Sequence, residues 1–218
     1  MQHDFILLDR SGSMQSMWAE ALSSVNTYVD SLVKDNVDTG VTLAAFDTEP
    51  RTGRLAFEIV RDRILPRTWR RVTSEDCAPR NNTPLNDAIG RIVSLAKAGD
   101  YVRVAIIIIT DGMENASMEY SHGAARALLD GCRNRGWQVI FMGANFDNYR
   151  QAESYGTLRG QTVSAAAGQM VNSMRATASK RAMYGSGAAA TMDFLEVEKA
   201  ELEKGLINPA ATTQTTNK

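Results

Sequence analysis

Residues 4–14 read DFILLDRSGSM, and this stretch decides the fold of the chain. The run from Phe5 to Leu8 has the length and apolar character of a short buried strand, which ends at Asp9. Beyond the polar loop, apolar residues repeat at spacings of three and four from Trp18 to Val33, the period of an amphipathic helix. A strand, a loop and a helix in this order are the first unit of an α/β fold with a parallel sheet.

The rest of the chain repeats this alternation of apolar bursts with helical segments. The nearly continuous aliphatic run Val102–Ile109 is typical of a central parallel strand that helices cover on both faces. Thr83 and Pro84 are expected to cap and open a helix, while Arg61–Asn82 is expected to be a long surface loop. The pattern further predicts strands over Val41–Phe46, Leu55–Val60, Gln138–Gly143 and Thr162–Ala165, and helices over Leu85–Ala96, Ser121–Asn134, Asp147–Tyr155 and Gly168–Tyr184.

Composition describes one soluble globular domain and excludes several classes of site. The chain has 218 residues, of which 44% are hydrophobic, so it can bury a sizeable core without disulfides or a structural metal. Its two cysteines, Cys77 and Cys132, form no CxxC pair, which argues against a zinc ribbon and favours a reducing compartment. A net charge of −1 gives no global field that would gather nucleic acid or anionic lipid.

The protein is expected to act in the cytoplasm, without a membrane partner. Met1–Asp9 does not read as a signal peptide, and the run Val104–Ile109 is too short to cross a bilayer. The folded domain is expected over residues 1–184. Residues 185–218 are expected to form a flexible linker, a short helix at 192–204 and a disordered polar tail.

Five oxygen donors are predicted to meet at one edge of the sheet. Asp9, Ser11 and Ser13 follow the first strand at spacings of two, and Asp111 follows the most buried strand. Thr83 begins a helix after a loop, so it belongs to the same rim, where α/β sheets bind ligands. These hard donors suit Mg²⁺, Mn²⁺ or Ca²⁺, and an octahedral ion would still need oxygen from water or a partner.

Simpler interpretations exist for each of these residues. Asp9, Ser11 and Ser13 can serve as caps of the following helix, since Ser and Asp are favourable at that position. Thr83 can cap its own helix, and Asp111 with Gly112 can form only a turn. The combination of the motif with matching loops favours the metal site.

The stretches DFILLDRSGSM, NNTPLNDAI and IIIITDGMEN resemble the three parts of the metal-ion-dependent adhesion site (MIDAS) of von Willebrand factor type A (vWA) domains of the stand-alone bacterial or phage type. The resemblance implies a doubly wound, mostly parallel six-stranded sheet with one antiparallel edge strand and helices on both faces. Asn81 and Asn82 depart from the glycines of many members, although asparagine tolerates positive φ better than most residues. The resemblance assigns the metal ligands, direct or through water, as Asp9, Ser11, Ser13, Thr83 and Asp111.

This resemblance implies a protein-binding module rather than an enzyme. Such a site presents its Mg²⁺, or alternatively Mn²⁺ or Ca²⁺, to an Asp or Glu carboxylate of a partner protein, in assembly or scaffolding. In the family, a change in coordination accompanies a shift of the final helix, which here is Gly168–Tyr184.

Two other functions remain open. A metal-dependent phosphohydrolase also begins with an aspartate after its first strand, but the position two residues beyond Asp9 is Ser11 rather than a second aspartate. An RNA-associated protein could use the arginine-rich loop Arg61–Arg71, where Trp69 offers stacking. Possible partner contacts in that loop are Arg67, Arg70 and Arg71, although such runs are more often solvated surface.

Overall fold

The computed structural model describes residues 1–143, 146–164 and 168–204. Within these residues, strands and helices alternate along the chain as the apolar pattern predicts. In chain order they are β1 (Gln2–Asp9), α1 (Trp18–Lys34), β2 (Gly40–Thr48), β3 (Leu55–Ile64), α2 (Leu85–Ala98), β4 (Arg103–Ile109), α3 (His122–Arg133), β5 (Gln138–Gly143), α4 (Phe146–Ser154), β6 (Thr162–Ser164), α5 (Met170–Ser186) and α6 (Glu196–Glu203), with 3₁₀-helices at Gly12–Met17, Pro66–Thr68 and Arg159–Gln161.

These strands form a single sheet in the order β3-β2-β1-β4-β5-β6. Strand β1 pairs in parallel with β2 and with β4, and among the strands of the described residues only β3 runs antiparallel, against β2. The doubly wound, mostly parallel sheet with one antiparallel edge strand is therefore confirmed. The chain winds outward from β1 in one direction and from β4 in the other, so the topological switch point lies between the ends of these two strands.

Helices cover both faces of the sheet, and β1 supplies side chains to each of two cores. Ile6 and Leu8 pack with α1 and α5, whereas Phe5 and Leu7 pack with α2 and α3. Burial on both faces explains why β1 and β4 are nearly continuous in aliphatic residues. Among the described helices, none combines the length and apolarity needed to span a membrane.

The segment after Val60 differs from the expected surface loop. Strand β3 continues to Ile64, which pairs with Val41 after an irregularity in the ladder. The charged residues of this extension do not form the apolar pattern of a buried strand, because an edge strand exposes one face to solvent. The chain then runs back along α1 to the opposite end of the sheet, with contacts that include Trp69 Nε1 to Asn26 Oδ1 at 3.0 Å.

The segment beyond residue 184 also differs from a flexible linker. Helix α5 ends at Ser186, and Gly187 takes a left-handed φ of 82° as its C-cap. Met192, Phe194 and Leu202 are buried in the same core as α5, so the short C-terminal helix packs on the domain. The predicted tail from 205 onward and the last predicted strand residue, Ala165, lie outside the described residues.

Candidate metal centre

Asp9 ends β1 at the switch point and is fully buried. Its Oδ1 accepts a hydrogen bond from the Ser11 amide at 2.7 Å, and its Oδ2 accepts one from the Thr110 hydroxyl at 2.7 Å. Burial raises the pKa of Asp9 to about 6, although these hydrogen bonds act in the opposite direction. A nearby cation would favour the charged carboxylate and offset the cost of its burial.

The two serine hydroxyls connect Asp9's loop to Asp111. Ser11 Oγ lies 3.0 Å from Ser13 Oγ, and the Ser13 hydroxyl donates to Asp111 Oδ1 at 2.8 Å. Burial also raises the pKa of Asp111, against the effect of the Ser13 hydrogen bond. The helix-cap interpretation of these serines is wrong, because Gly12–Met17 is a 3₁₀-helix without a side-chain cap and α1 begins only at Trp18.

Thr83 reaches the same place from a third loop. A Cβ atom added to Gly112 would lie 2.7 Å from Thr83 Oγ1, 3.3 Å from Asp9 Oδ2 and 3.3 Å from Ser13 Oγ. These three oxygens therefore surround one small space that only a glycine leaves open. Thr83 does not cap its helix as expected, since α2 begins at Leu85 with Pro84 at the N-cap and no side-chain cap bond.

The donor set fits a hard divalent cation. Two carboxylates can balance its charge, and neutral hydroxyls complete an oxygen-only environment of the kind that Mg²⁺, Mn²⁺ and Ca²⁺ accept. In the part of the chain that the structure describes, no cluster of three or more His, Cys, Asp or Glu side chains is suited to a metal. A site here consequently depends on its hydroxyl groups as much as on its carboxylates.

Asp47 connects two of the three loops, although it was not among the predicted site residues. It is fully buried near the end of β2, and its carboxylate accepts from Arg10 Nε at 3.0 Å and from Arg80 Nε at 2.6 Å. Arg10 lies in the same loop as Ser11, while Arg80 precedes Thr83 in its loop. The one available signal was its position near the carboxyl end of β2, the neighbour of β1.

Backbone contacts hold the same two loops together. The Gly12 amide donates to the Asn81 carbonyl at 2.9 Å, and the Arg80 amide donates to the Arg10 carbonyl at 2.7 Å. Asn81 adopts a φ of 46°, the conformation that asparagine tolerates better than most residues. An asparagine in place of a glycine thus still permits a close approach to Gly12.

The loop after Asp111 is fixed to the start of α2. Asn115 Oδ1 accepts from the Thr83 amide at 3.0 Å, and its own amide donates to the Thr83 carbonyl at 3.2 Å. The Glu114 carboxylate accepts from the amides of Asn86 and Ser117, both at 2.8 Å. Both residues lie in the quoted stretch IIIITDGMEN, but their positioning role was not predicted because it depends on contacts between distant loops.

The arginine-rich segment begins at the other end of the sheet. Ile64 pairs with Val41, at the opposite end of β2 from Phe46, which pairs with Asp9. The candidate partner-contact arginines also meet acceptors of the domain itself, and the structure does not bring them to the metal centre. Arg67 Nη2 donates to Asn36 Oδ1 at 2.5 Å, Arg70 Nη2 to Asp76 Oδ1 at 2.8 Å and Arg71 Nη1 to Asp30 Oδ2 at 2.6 Å.

Comparison with known proteins finds solved structures that share this architecture. No protein-family model and no curated protein matches the sequence. Among solved structures, the vWF domain of the type V pili tip protein Mfa5 from Porphyromonas gingivalis is 10% identical, with a TM-score of 0.60 and coverage of 83% of this chain and 94% of that chain.

Two further solved structures have the same fold. Manganese-loaded TRAP protein from Plasmodium vivax is 16% identical, with a TM-score of 0.56 and coverage of 79% of this chain and 71% of the other. A von Willebrand factor type A structure from Catenulispora acidiphila is 14% identical, with a TM-score of 0.54; the match covers 82% of this chain but only 42% of that one.

The sheet order and the crevice at its switch point define a doubly wound α/β protein. More particularly, the chain has the fold of von Willebrand factor type A domains.

Proposed function

We propose that this protein is a divalent-metal-dependent protein-binding module that acts in assembly or scaffolding. The observation that carries the proposal is the convergence of oxygens from Asp9, Ser13 and Thr83 on the space in front of Gly112. Ser11 and Asp111 join the set through their contacts with Ser13. The five residues would hold Mg²⁺, and when bound the ion would offer a coordination position to an Asp or Glu carboxylate of the partner.

The chain's own residues prepare the site for this chemistry. The buried Asp9 provides charge where solvent is excluded, and the exposed Ser13 lies at the opening of the site. The loops of Thr83 and Asp111 are held together by two hydrogen bonds between Thr83 and Asn115, one of which uses the Asn115 side chain, and this limits the reorganisation that binding requires. The manganese in a solved structure of this fold supports a divalent ion, and Mn²⁺ and Ca²⁺ are alternative occupants to be compared with Mg²⁺.

Binding rather than hydrolysis is favoured by what surrounds Asp9. The residue two positions on is Ser11, whose hydroxyl contacts another hydroxyl instead of supplying a second carboxylate for acid–base catalysis. The RNA-associated alternative is less favoured because Arg67, Arg70 and Arg71 contact acceptors within the domain. A cytoplasmic location is part of this proposal.

Affinity capture from a host lysate tests the proposal, with Mg²⁺ compared against EDTA. Ser13→Ala removes a ligand hydroxyl, while Ser16→Ala removes an exposed hydroxyl from the same 3₁₀-helix and serves as the matched control. We expect one partner set that is retained only with Mg²⁺, persists with Ser16→Ala and is lost with Ser13→Ala and Asp9→Ala. Equal recovery of the same partners in EDTA would show that binding does not depend on the metal.

A further inference from the structure

A cavity of about 380 Å³ lies beside the candidate metal centre, between the loop after β4 and α4. Its volume falls within the range of ligand-binding pockets, roughly 300–1,000 Å³. Met113 forms part of its wall and is two residues from Asp111, so its Cα lies within about 8 Å of that residue's Cα. The residues that line the cavity include Met113, Glu114, His122, Arg150, Gln151 and Tyr155.

One wall is a series of aromatic rings that leads from the core to the cavity. Phe141 stacks on Tyr155 with ring centroids 5.7 Å apart, and Tyr155 meets His122 with centroids 4.3 Å apart. The Tyr155 hydroxyl donates to Asn86 Oδ1 at 2.5 Å, and His122 Nε2 lies 3.1 Å from the Ser154 carbonyl. Tyr155 is fully buried beneath this wall, whereas His122 is exposed, so the ring of His122 is the aromatic surface that the wall offers to an occupant.

The cavity and the metal centre share a fixed wall. Gln151 Nε2 donates to the Gly112 carbonyl at 3.1 Å, and Gln151 Oε1 accepts from the Glu114 amide at 2.9 Å. The Glu114 carboxylate is engaged by neighbouring amides and by the Ser117 hydroxyl at 2.7 Å. An occupant of the cavity would therefore be held at a set distance from a carboxylate bound in front of Gly112.

The opening carries a thioether and a cation. Met113 is 52% exposed, and Arg150 is exposed on α4. A methionine sulfur makes favourable contacts with aromatic rings, and a guanidinium is attracted to the face of such a ring. Together with the exposed ring of His122, these groups suit an aromatic occupant better than an aliphatic one.

We propose that this cavity receives an aromatic side chain of the same partner protein whose carboxylate binds the metal. An extended chain advances about 3.3–3.6 Å per residue, so the aromatic residue would lie two or three positions from the acidic residue. The inference rests on the proposed function and adds to it a second recognition element. The partner would be identified by a short segment that pairs an Asp or Glu with a nearby Trp, Tyr or Phe.

Selection from a phage-displayed peptide library tests this pairing on the full chain in Mg²⁺. Each peptide carries one fixed Asp with randomised residues on both sides. We expect enrichment of aromatic residues two or three positions from the Asp. Replacing that aromatic residue with Ala should weaken binding to the wild type about tenfold.

A double-mutant cycle then locates the contact. The Met113→Ala, Arg150→Ala double variant should bind the aromatic peptide about tenfold more weakly and show little further loss with the Ala peptide. The matched control is Arg63→Ala with Leu65→Ala, a charged and an apolar residue exposed at the other end of the sheet, where both losses should equal those of the wild type.

The failure of this inference differs from the failure of the proposed function. The selected peptides could need Mg²⁺ and Asp9 but show no aromatic preference, or show a second acidic or an aliphatic residue in its place. Either result overturns the cavity assignment and leaves the proposed metal-dependent binding intact. If no selected peptide depends on Mg²⁺ or on Asp9, both are overturned.

Discussion

Gly112 illustrates how a single residue determines whether the candidate metal centre is open. It follows Asp111 directly, and its missing side chain leaves free the space that Thr83, Asp9 and Ser13 surround. Its neighbours are held by side-chain contacts, so the loop has little freedom to make room for a larger residue. The proposed metal binding therefore depends on the missing side chain of Gly112 as well as on the oxygens around this space.

Gly112→Ala is expected to weaken Mn²⁺ binding by about tenfold or more while the protein remains folded. The added Cβ would lie 2.7 Å from Thr83 Oγ1 and would push apart the oxygens that face the ion. Calorimetric titration with Mn²⁺ measures the affinity. Gly131→Ala is the control, because a Cβ there meets nothing within 4 Å; unchanged affinity in Gly112→Ala would contradict the assignment of the site.

Asp47→Asn is expected to lower Mn²⁺ affinity by about 10–100-fold, as is typical when a residue that orients metal ligands is changed. The asparagine amide lacks the negative charge with which Asp47 holds Arg10 and Arg80. These two arginines belong to the loops of Ser11 and Thr83, which would then be held less firmly. Titration of folded variants, checked by urea unfolding, measures the effect. Glu58→Gln is the control, since that half-exposed carboxylate contacts Arg10 alone of the two arginines; equal losses in both variants would argue against a positioning role for Asp47.

His3 gives the protein a predictable dependence of stability on pH. His3 lies in β1, where burial lowers its pKa from 6.5 to about 4. The folded state therefore binds this proton less readily than the unfolded state, and stability is full above pH 6.5 and falls as the pH drops toward 4. The loss attributable to His3 is at most about 3 kcal/mol.

Urea unfolding of the wild type and of His3→Gln in EDTA measures this effect. The difference in unfolding free energy between the two proteins should shift in favour of His3→Gln as the pH is lowered from 7 to about 4. Asp9, whose pKa is raised, acts in the opposite direction, but it is present in both proteins and cancels in the comparison. A difference in unfolding free energy that does not change with pH would show that the pKa of His3 is not lowered in the folded protein.

At the scale of elements, helix α5 is fixed near both ends. Glu20, in the first turn of α1, accepts hydrogen bonds from the Gly168 and Met170 amides, both at 2.8 Å. Toward the other end, Arg181 and Asp4 form an ion pair at 2.5 Å in which both side chains are fully buried. Any displacement of α5 of the kind that the family resemblance implies must break this pair or carry β1 with it.

Arg181→Met is expected to lower the free energy of unfolding by about 3–5 kcal/mol, because it leaves the Asp4 carboxylate buried without its cation. Adding Asp4→Asn should recover part of the loss, since the uncompensated charge is then removed. Urea unfolding of the single and double variants provides the measurement, with Arg175→Met on the same helix as the control. A loss no larger than that of Arg175→Met would mean that the pair does not hold α5.

The elements also show what the sequence can and cannot predict. Strand β5 has the predicted limits, and β4 begins one residue late, because strands buried on both faces appear as apolar runs. The extension of β3 was missed because Arg61, Asp62 and Arg63 obscure an edge strand. The packing of α6 was missed because it depends on a few apolar side chains whose partners are far away in the chain.

The site was predicted in part for a similar reason. The positions of Asp9 and Asp111 follow from the ends of two parallel strands, and the apolar runs in the sequence locate these strand ends. The role of Thr83 as a residue facing the site rather than a cap depends on the path of the long segment before it. That path is set by Asp47 and by backbone contacts between loops, which leave no periodic signal.

At the scale of the whole molecule, the two ends of the sheet have different chemistry. The end with Asp9 holds oxygen donors and the adjoining aromatic cavity, whereas the arginine-rich segment starts at the other end and meets acceptors of its own domain. A near-neutral chain can therefore present one charged feature, a bound cation, without a general attraction for polyanions. Specific recognition of a protein partner fits this distribution of charge.

The most direct test is an anomalous diffraction map from crystals grown with Mn²⁺. We predict one strong peak in front of Gly112, with oxygens of Asp9, Ser11, Ser13, Thr83 and Asp111 bonded to the ion at about 2.0–2.6 Å or linked to it by one water. Crystals of Asp9→Ala should lack this peak. A map with no peak in front of Gly112 at saturating Mn²⁺, or the same peak in Asp9→Ala, would contradict the account.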